Sequence, residues 1–258
     1  MSLALGADQS RHRSRVEFSE LLRVEGRLAL REPYFLMGLA FPIALLVLFW
    51  LIGVEVPGQV AGSGLTILEL WIPTILVISY LALAMIGMPA SFARDREIGW
   101  LRRVSTTPVP PYMLLAAQLV LNVIIAAVAT VVVVFAGAIL FGASLQVGIE
   151  FVGVVILAIA EMFSLGLVVT AIAPSQRGAT YITGALFYPL LFLSGLWVQP
   201  VQVGGALQTI MYYSPVGAAV RALLWAEFNA VPPASSIVAM LVYTAVFALV
   251  AIRYFRWE

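Results

Sequence analysis

The chain has 258 residues, of which 62% are hydrophobic and only 10% are charged, and its mean hydropathy is +1.04. A soluble domain carries about 25% charged residues, so this composition excludes a water-soluble globule and predicts an all-α integral membrane protein. The chain has no cysteine, one histidine and no lysine, which excludes thiolate chemistry, a multi-histidine metal site and a lysine-containing phosphate loop.

The N-terminal segment 14–32 has apolar side chains at helical spacing, and Arg23, Arg27 and Arg31 follow one another at four-residue intervals. This pattern predicts an amphipathic helix at the membrane interface, with its arginines near anionic lipid head groups. The alternative is a helix packed on a partner. Residues 1–33 therefore form a cytoplasmic tail with an interfacial helix, and residues 34–258 form the membrane unit.

Six apolar segments follow, and each meets or approaches the roughly 20 residues that a bilayer core requires. Pro42 and Pro73 lie inside the first two and predict kinks there. The predicted spans are 34–53, 65–92, 111–141, 149–173, 178–197 and 236–252.

The arginines give the orientation of these spans. With six spans, 13 of the 14 arginines fall on one side, and only Arg221 falls on the other. The positive-inside rule then places both termini in the cytoplasm, which requires an even number of spans. We therefore expect a multi-pass protein of the plasma membrane with cytoplasmic N and C termini.

The loop between spans 2 and 3 is dense in charge, because six of the ten residues 94–103 are ionisable. Ile98 and Leu101 add an apolar patch, and the prolines from Pro108 onward end the helix. Such an element can dock in a groove on a partner, where its arginines meet carboxylates. The alternative is that the arginines only fix the topology.

This loop carries a resemblance to a known family. Arg96-Glu97-Ile98-Gly99-Trp100-Leu101-Arg102-Arg103, followed by Thr106-Thr107-Pro108, resembles the E-x-G-T-L-x-R-L-x-x-T-P segment of ABC-2 type export permeases, in particular the daunorubicin-resistance-type branch. Trp100 departs from the pattern, where a small residue is usual. In that family the segment is the coupling helix, here about 94–108, which receives the motion of a separate ATPase subunit. The coupling residues that the resemblance implies are Arg94, Asp95, Arg96, Glu97, Gly99, Leu101, Arg102, Arg103, Thr107 and Pro108, with a lesser contact from Arg177 between spans 4 and 5.

The connection between spans 5 and 6 is too apolar for a free external loop, and it contains short helical patches around 203–212 and 215–227. Irregular backbone at membrane depth has to be buried in protein or line a cavity, so residues from about 198 to 230 are predicted to form short re-entrant external helices. Phe192-Leu193-Ser194-Gly195-Leu196 and Tyr213-Ser214-Pro215 through Arg221 resemble the family's F-L-S-G and N-P-L-T…L-R signatures. The alternative is a lid without a role in transport.

Glu161 lies near the middle of span 4, where a carboxylate costs about 2.5–3.5 kcal/mol or more on insertion scales. Such a residue either lines the pathway and contacts a cationic cargo, or it is protonated or hydrogen-bonded to a neighbouring span. We predict translocation-pathway residues at Glu161, Phe192, Ser194 and Tyr213.

The resemblance implies the transmembrane permease subunit of an ATP-driven efflux system that moves amphipathic drugs, antibiotics or lipid-like molecules outward. It implies two copies of an ABC ATPase subunit, which bind ATP and Mg, and a second permease chain, identical or paralogous. We expect contacts with membrane lipid, no nucleic-acid partner, and no catalytic residue, metal or cofactor on this chain. The alternatives are an ABC-2 exporter of polysaccharide or glycolipid, a proton-coupled secondary transporter using Glu161, and a membrane scaffold that transports nothing.

Overall fold

The computed structural model describes residues 33–55, 67–97, 111–141, 147–228 and 230–254, and the regular elements in these ranges are all helices. The interfacial helix predicted at 14–32 lies outside them. The α-helices in chain order are α1 Pro33–Glu55, α2 Ile67–Ala82, α3 Met88–Glu97, α4 Pro111–Phe141, α5 Ile149–Ile172, α6 Gln176–Leu193, α7 Pro200–Val203, α8 Gly205–Tyr213, α9 Pro215–Glu227 and α10 Ala234–Tyr254.

Four helical segments within the described ranges are long and apolar enough to cross a membrane. They correspond to the predicted spans 2, 3, 4 and 6. The segments are Trp71–Arg94, Ala116–Ile139, Ile149–Ile172 and Ala234–Tyr254. At span 1, α1 contributes a shorter apolar stretch, Ala40–Ile52, and at span 5 the helix α6 has 18 residues and ends at Leu193. The chain is thus a multi-pass helical membrane protein, and the number of six spans stays a prediction.

The helix α2 lies at the centre of the bundle and packs against α1, α4, α5 and α9. Its side chains are buried on every face over Ile72–Leu81 because the neighbouring helices surround it. The Phe49 and Trp71 rings join it to α1 with centroids 4.0 Å apart, and the hydroxyls of Tyr80 and Thr130, 2.6 Å apart, join it to α4.

The outward faces of α4 and α10 are apolar and uncovered. Ile139 on α4 and Ile252 on α10 are both more than three-quarters exposed, at 78% and 77%. Exposed apolar surface of this extent is unfavourable in water but normal against lipid chains. These faces therefore agree with the membrane setting that the composition predicts.

A π-helical turn, Leu83–Gly87, joins α2 to α3 and was not predicted. π turns leave the regular i to i−4 pattern of hydrogen bonds, and here α6 supplies a donor, because the Thr183 hydroxyl donates to the Met85 carbonyl at 2.8 Å. On another side, α5 approaches the turn so closely that a Cβ atom at Gly166 would overlap the Ala84 carbonyl. Helices α2 and α3 are thus one continuous rod with a tightly packed turn inside it.

Candidate functional site

The end of α3 is tied to the turn between α5 and α6. The Arg96 guanidinium donates through Nη1 to the Ala173 carbonyl at 3.1 Å. One Glu97 carboxylate oxygen, Oε1, accepts from the Gln176 backbone N–H at 3.0 Å. In the same two segments, Ala93 packs with Ala173 and Ala179 in a small buried cluster. We call these two segments, 93–97 and 173–179, the coupling corner, after the role that the sequence resemblance predicts for residues 94–108.

Local sequence explains why the chain turns here. Pro174 cannot continue α5, and Ser175 starts α6 as its N-cap by accepting from the Gly178 N–H at 3.0 Å. Arg177, the second residue of α6, is exposed. Arg96 is half-buried, and this burial lowers the pKa of its guanidinium from the ordinary value.

At the other end of α6, the connection to α10 folds into a tight corner between α8 and α9. The Ser214 hydroxyl donates to the Met211 carbonyl at 2.9 Å and accepts from the Gly217 N–H at 3.0 Å, which caps α9. Pro215 occupies the first turn of α9, where no N–H is needed. A Cβ atom at Gly217 would overlap the Met211 carbonyl oxygen, so this position requires glycine.

This corner lies beside the interior of α10 rather than beside its beginning. The Tyr243 hydroxyl donates to the Tyr213 carbonyl at 2.9 Å. Tyr243 is nine residues after Ala234, the first residue of α10, which corresponds to about 14 Å along a helix. From the corner, α9 packs against α2, α5 and α10 with a fully buried alanine-rich face.

Two cavities lie on the two sides of the turn that follows α6. An apolar groove of about 420 Å³ is formed by α1, α2 and α6, and Leu196 and Trp197 of the turn close one side of it. A smaller cavity of about 80 Å³ is formed by α2, α7, α8 and α9, and Gly195 and Gln199 of the same turn line it. Its wall is mainly apolar, and we call it the polar cavity after the few polar side chains that it contains, chiefly Arg221, Tyr212 and Gln199. The turn is held by Ser194, whose hydroxyl donates to the Leu191 carbonyl at 2.6 Å.

The comparison with protein families decides the identity of this architecture. The family model described as "ABC-2 type transporter" matches residues 16–228, which is most of the chain. The chain belongs to the ABC-2 type transporter family. A search of the curated proteins finds no match to it. The ABC-2 domain is a transmembrane component of ABC transporters without an ATPase domain of its own, and permeases of this family generally pair with an ABC ATPase subunit.

In this ABC-2 permease, several of the predicted coupling residues lie at the coupling corner. Arg94, Asp95, Arg96 and Glu97 form the end of α3, and the turn that carries Arg177 is bonded to it. The other predicted coupling residues lie outside the described ranges, and their roles stay predictions. They are Gly99, Leu101, Arg102, Arg103, Thr107 and Pro108.

The four predicted pathway residues do not form one cluster in the permease. Ser194 lines the polar cavity, while Phe192, on the last turn of α6, is exposed. Tyr213 is partly exposed, and its carbonyl is bonded to α10. Glu161 is 0% exposed and is not among the residues that line either cavity. Its role in a pathway stays a prediction.

Sequence reasoning missed three features of this site. The π turn and its Thr183 contact carry no local signal, because alanine, methionine and glycine in an apolar run also suit a regular helix. Gly166 is an ordinary membrane-helix glycine until α2 is placed beside it. Arg221 was assigned a side of the membrane and a place in the L-R signature but no cavity, although its isolation from the other arginines was the available signal.

Replacing Glu161 by leucine is expected to stabilise the permease by about 1 kcal/mol, a rise of about 2–4 °C in Tm. Neither carboxylate oxygen has a hydrogen-bond partner within the described residues, and a buried carboxylate without partners opposes folding. Thermal unfolding in detergent micelles measures the change. Glu161→Gln, which keeps the shape and a polar group, is the matched control and should lie near the parent. A lower Tm for the leucine variant would contradict this prediction.

Proposed function

We propose that the chain is the permease subunit of an exporter that moves amphipathic drugs, antibiotics or lipid-like molecules outward, driven by ATP hydrolysis on a separate subunit. The apolar groove supports this cargo class. Its volume of about 420 Å³ falls in the range of about 300–1,000 Å³ typical of small-molecule sites. Its lining of aliphatic and aromatic side chains suits an apolar cargo better than a polysaccharide chain, which would need many polar partners.

One observation carries the proposal: the continuous rod of α2 and α3 joins the coupling corner to both cavities. Arg96 and Glu97 lie at one end of the rod, and further along it Ile78 lines the groove and Thr74 lines the polar cavity. A displacement of the rod at the coupling corner therefore reaches the walls of both cavities. ATP can drive such a displacement only if the ATPase binds the two permease states with different affinity.

The assembly in this proposal contains two ABC ATPase subunits, which bind ATP and Mg, and two permease chains, either identical or paralogous. The second permease rests on the family resemblance, because the exposed side chains of Leu48 and Tyr188 line the groove and suit lipid or cargo equally well. The arginine distribution supports a plasma-membrane protein with cytoplasmic termini, in which the α8–α9 corner is a re-entrant external element. The loop motif favours the daunorubicin-resistance-type branch.

Reversing the charge of Arg102 and Arg103 to glutamate tests the coupling assignment. We expect at least a tenfold loss of export and loss of ATPase stimulation, because each reversal replaces an attraction to partner carboxylates by repulsion. The measurements are ATP hydrolysis by the partner ATPase and efflux of a fluorescent amphipathic drug from proteoliposomes.

The matched control for this experiment is Arg253→Glu, which reverses an exposed arginine near the end of α10. It should leave both rates within about twofold of the parent. If the Arg102 and Arg103 variant stimulates ATP hydrolysis and exports the drug at the parent rate, the coupling assignment is wrong. Export that continues without any ATPase and stops in Glu161→Leu would instead support proton-coupled transport.

A further inference from the structure

Among the residues that the structure describes, the wall of the polar cavity carries one positive charge and no acidic side chain. It is lined by Arg221 from α9 and by Tyr212 from α8, and the turn after α6 contributes Ser194 and Gln199. None of the residues that line it is aspartate or glutamate. Because arginine keeps its charge in proteins, the cavity has an excess of one positive charge.

Arg221 is held in place but keeps its hydrogen-bond donors. Its guanidinium carbon lies 4.8 Å from the centroid of the Tyr212 ring, which is a cation–π contact. A guanidinium has five N–H donors and one ring can engage only some of them, so donors remain for a ligand. Over the part of the chain that the structure describes, this guanidinium has no ion pair with a carboxylate.

The size of the cavity selects a small polar group rather than a whole drug. A volume of about 80 Å³ is enough for several water molecules, each of which needs about 10–15 Å³ of such space. It is well below the 300–1,000 Å³ or so of a typical ligand pocket. A head group fits, and the rest of its molecule has to lie elsewhere.

The apolar groove, which shares one turn of the chain with the polar cavity, offers a place for that remainder. Gly195 and Gln199 line the polar cavity, whereas Leu196 and Trp197, between them in the sequence, line the groove. One short turn therefore contributes both to a cavity that contains an arginine and to a groove lined by apolar side chains. An amphipathic molecule has the same division into a polar head and an apolar tail.

We propose that the polar cavity binds an oxyanion, a phosphate or carboxylate group, carried by an amphipathic molecule whose apolar part lies in the groove. The Arg221 guanidinium binds oxyanions through paired N–H···O bonds, and Gln199 and Tyr212 provide further donors at the same cavity. The occupant is an anionic membrane lipid or an acidic cargo. Only the acidic-cargo alternative rests on the proposed function. Binding of an anionic membrane lipid requires neither transport nor an ATPase.

Equilibrium binding to the purified full-length permease in a neutral detergent tests this site. The probes are phosphatidylglycerol and diacylglycerol with identical acyl chains, of which only the first carries an oxyanion, and we expect phosphatidylglycerol to bind about tenfold more tightly. Arg221→Gln should remove this preference, and Arg221→Lys, which keeps the charge but not the paired geometry, should retain part of it. Arg253→Gln is the matched loss of one exposed arginine, and its effect should be small and should disappear at high salt.

Two further probes separate the sources of the oxyanion. Inorganic phosphate alone should compete with phosphatidylglycerol in the parent but not in Arg221→Gln. A single-chain fatty acid that binds more tightly than phosphatidylglycerol identifies an acidic cargo, and the reverse order identifies a lipid. Both orders support the site if they depend on Arg221.

Equal binding of phosphatidylglycerol and diacylglycerol by the parent, or an unchanged preference in Arg221→Gln, would overturn the proposal. Thermal unfolding verifies that the variants fold. If Arg221→Gln does not fold, the preference of the parent for phosphatidylglycerol and the response of Arg221→Lys decide the question. None of these measurements involves an ATPase, so their failure would leave the exporter proposal intact.

Discussion

Replacing Gly217 by alanine is expected to lower the free energy of unfolding of the permease by about 3 kcal/mol, which corresponds to a fall of about 6–12 °C in Tm. The added Cβ atom would overlap the main-chain oxygen of Met211, and a main-chain atom cannot rotate away as a side chain can. Relief of the overlap requires the α8–α9 corner to open, which breaks the bonds of Ser214 to Met211 and to residue 217. The measurements are Tm in detergent and the amount of folded protein in the membrane fraction.

The matched control is Gly184→Ala in α6. A Cβ atom at Gly184 meets no heavy atom within 4 Å, so the same chemical change adds no overlap there. Because alanine favours a helix over glycine by up to about 1 kcal/mol, this variant should equal or exceed the parent in Tm. An equal Tm for Gly217→Ala and Gly184→Ala would show that the α8–α9 corner is not rigid.

Replacing Gly166 by alanine is expected to have the second largest effect. Its Cβ atom would overlap the Ala84 carbonyl inside the π turn, so α5 and the rod of α2 and α3 have to separate. We expect a loss of about 2–3 kcal/mol in the free energy of unfolding. We also expect export to fall at least tenfold relative to ATP hydrolysis, because the rod joins the coupling corner to the cavities.

Gly153→Ala, in the same helix, is the control, since its Cβ atom would meet no heavy atom within 4 Å. The two variants are compared by Tm and by drug molecules exported per ATP hydrolysed in proteoliposomes. If Gly166→Ala is destabilised but exports normally per ATP, the π turn is needed for packing only, and the rod does not transmit motion through it.

The helices themselves were largely predictable from sequence. The patches predicted at 203–212 and 215–227 correspond to α8, Gly205–Tyr213, and α9, Pro215–Glu227, because Ser214 and Pro215 form a strong start signal for a helix. The predicted spans 34–53, 111–141 and 149–173 correspond closely to α1, α4 and α5. Long apolar runs bounded by polar residues or proline leave little choice of structure in a membrane.

The candidate site was less predictable, because its main features depend on contacts between distant parts of the chain. The bond from Arg96 to Ala173 joins residues 77 positions apart, and the bond from Thr183 to Met85 joins residues 98 positions apart. The spacing of apolar residues along the sequence does not indicate which distant residues come into contact. The position of Arg221 at a cavity likewise required α8, α9 and the turn after α6 to be placed together.

The bonds at the coupling corner have a mechanical consequence. Arg96 and Glu97 both bind main-chain atoms, of Ala173 and Gln176. They therefore hold the end of α3 to the turn between α5 and α6, whatever side chains that turn carries. A force applied to the end of α3 or to this turn therefore moves α3 and α6 together. On the proposed function, a partner that pushes on Arg177 alone would displace both α6 and the rod of α2 and α3, which form two sides of the groove.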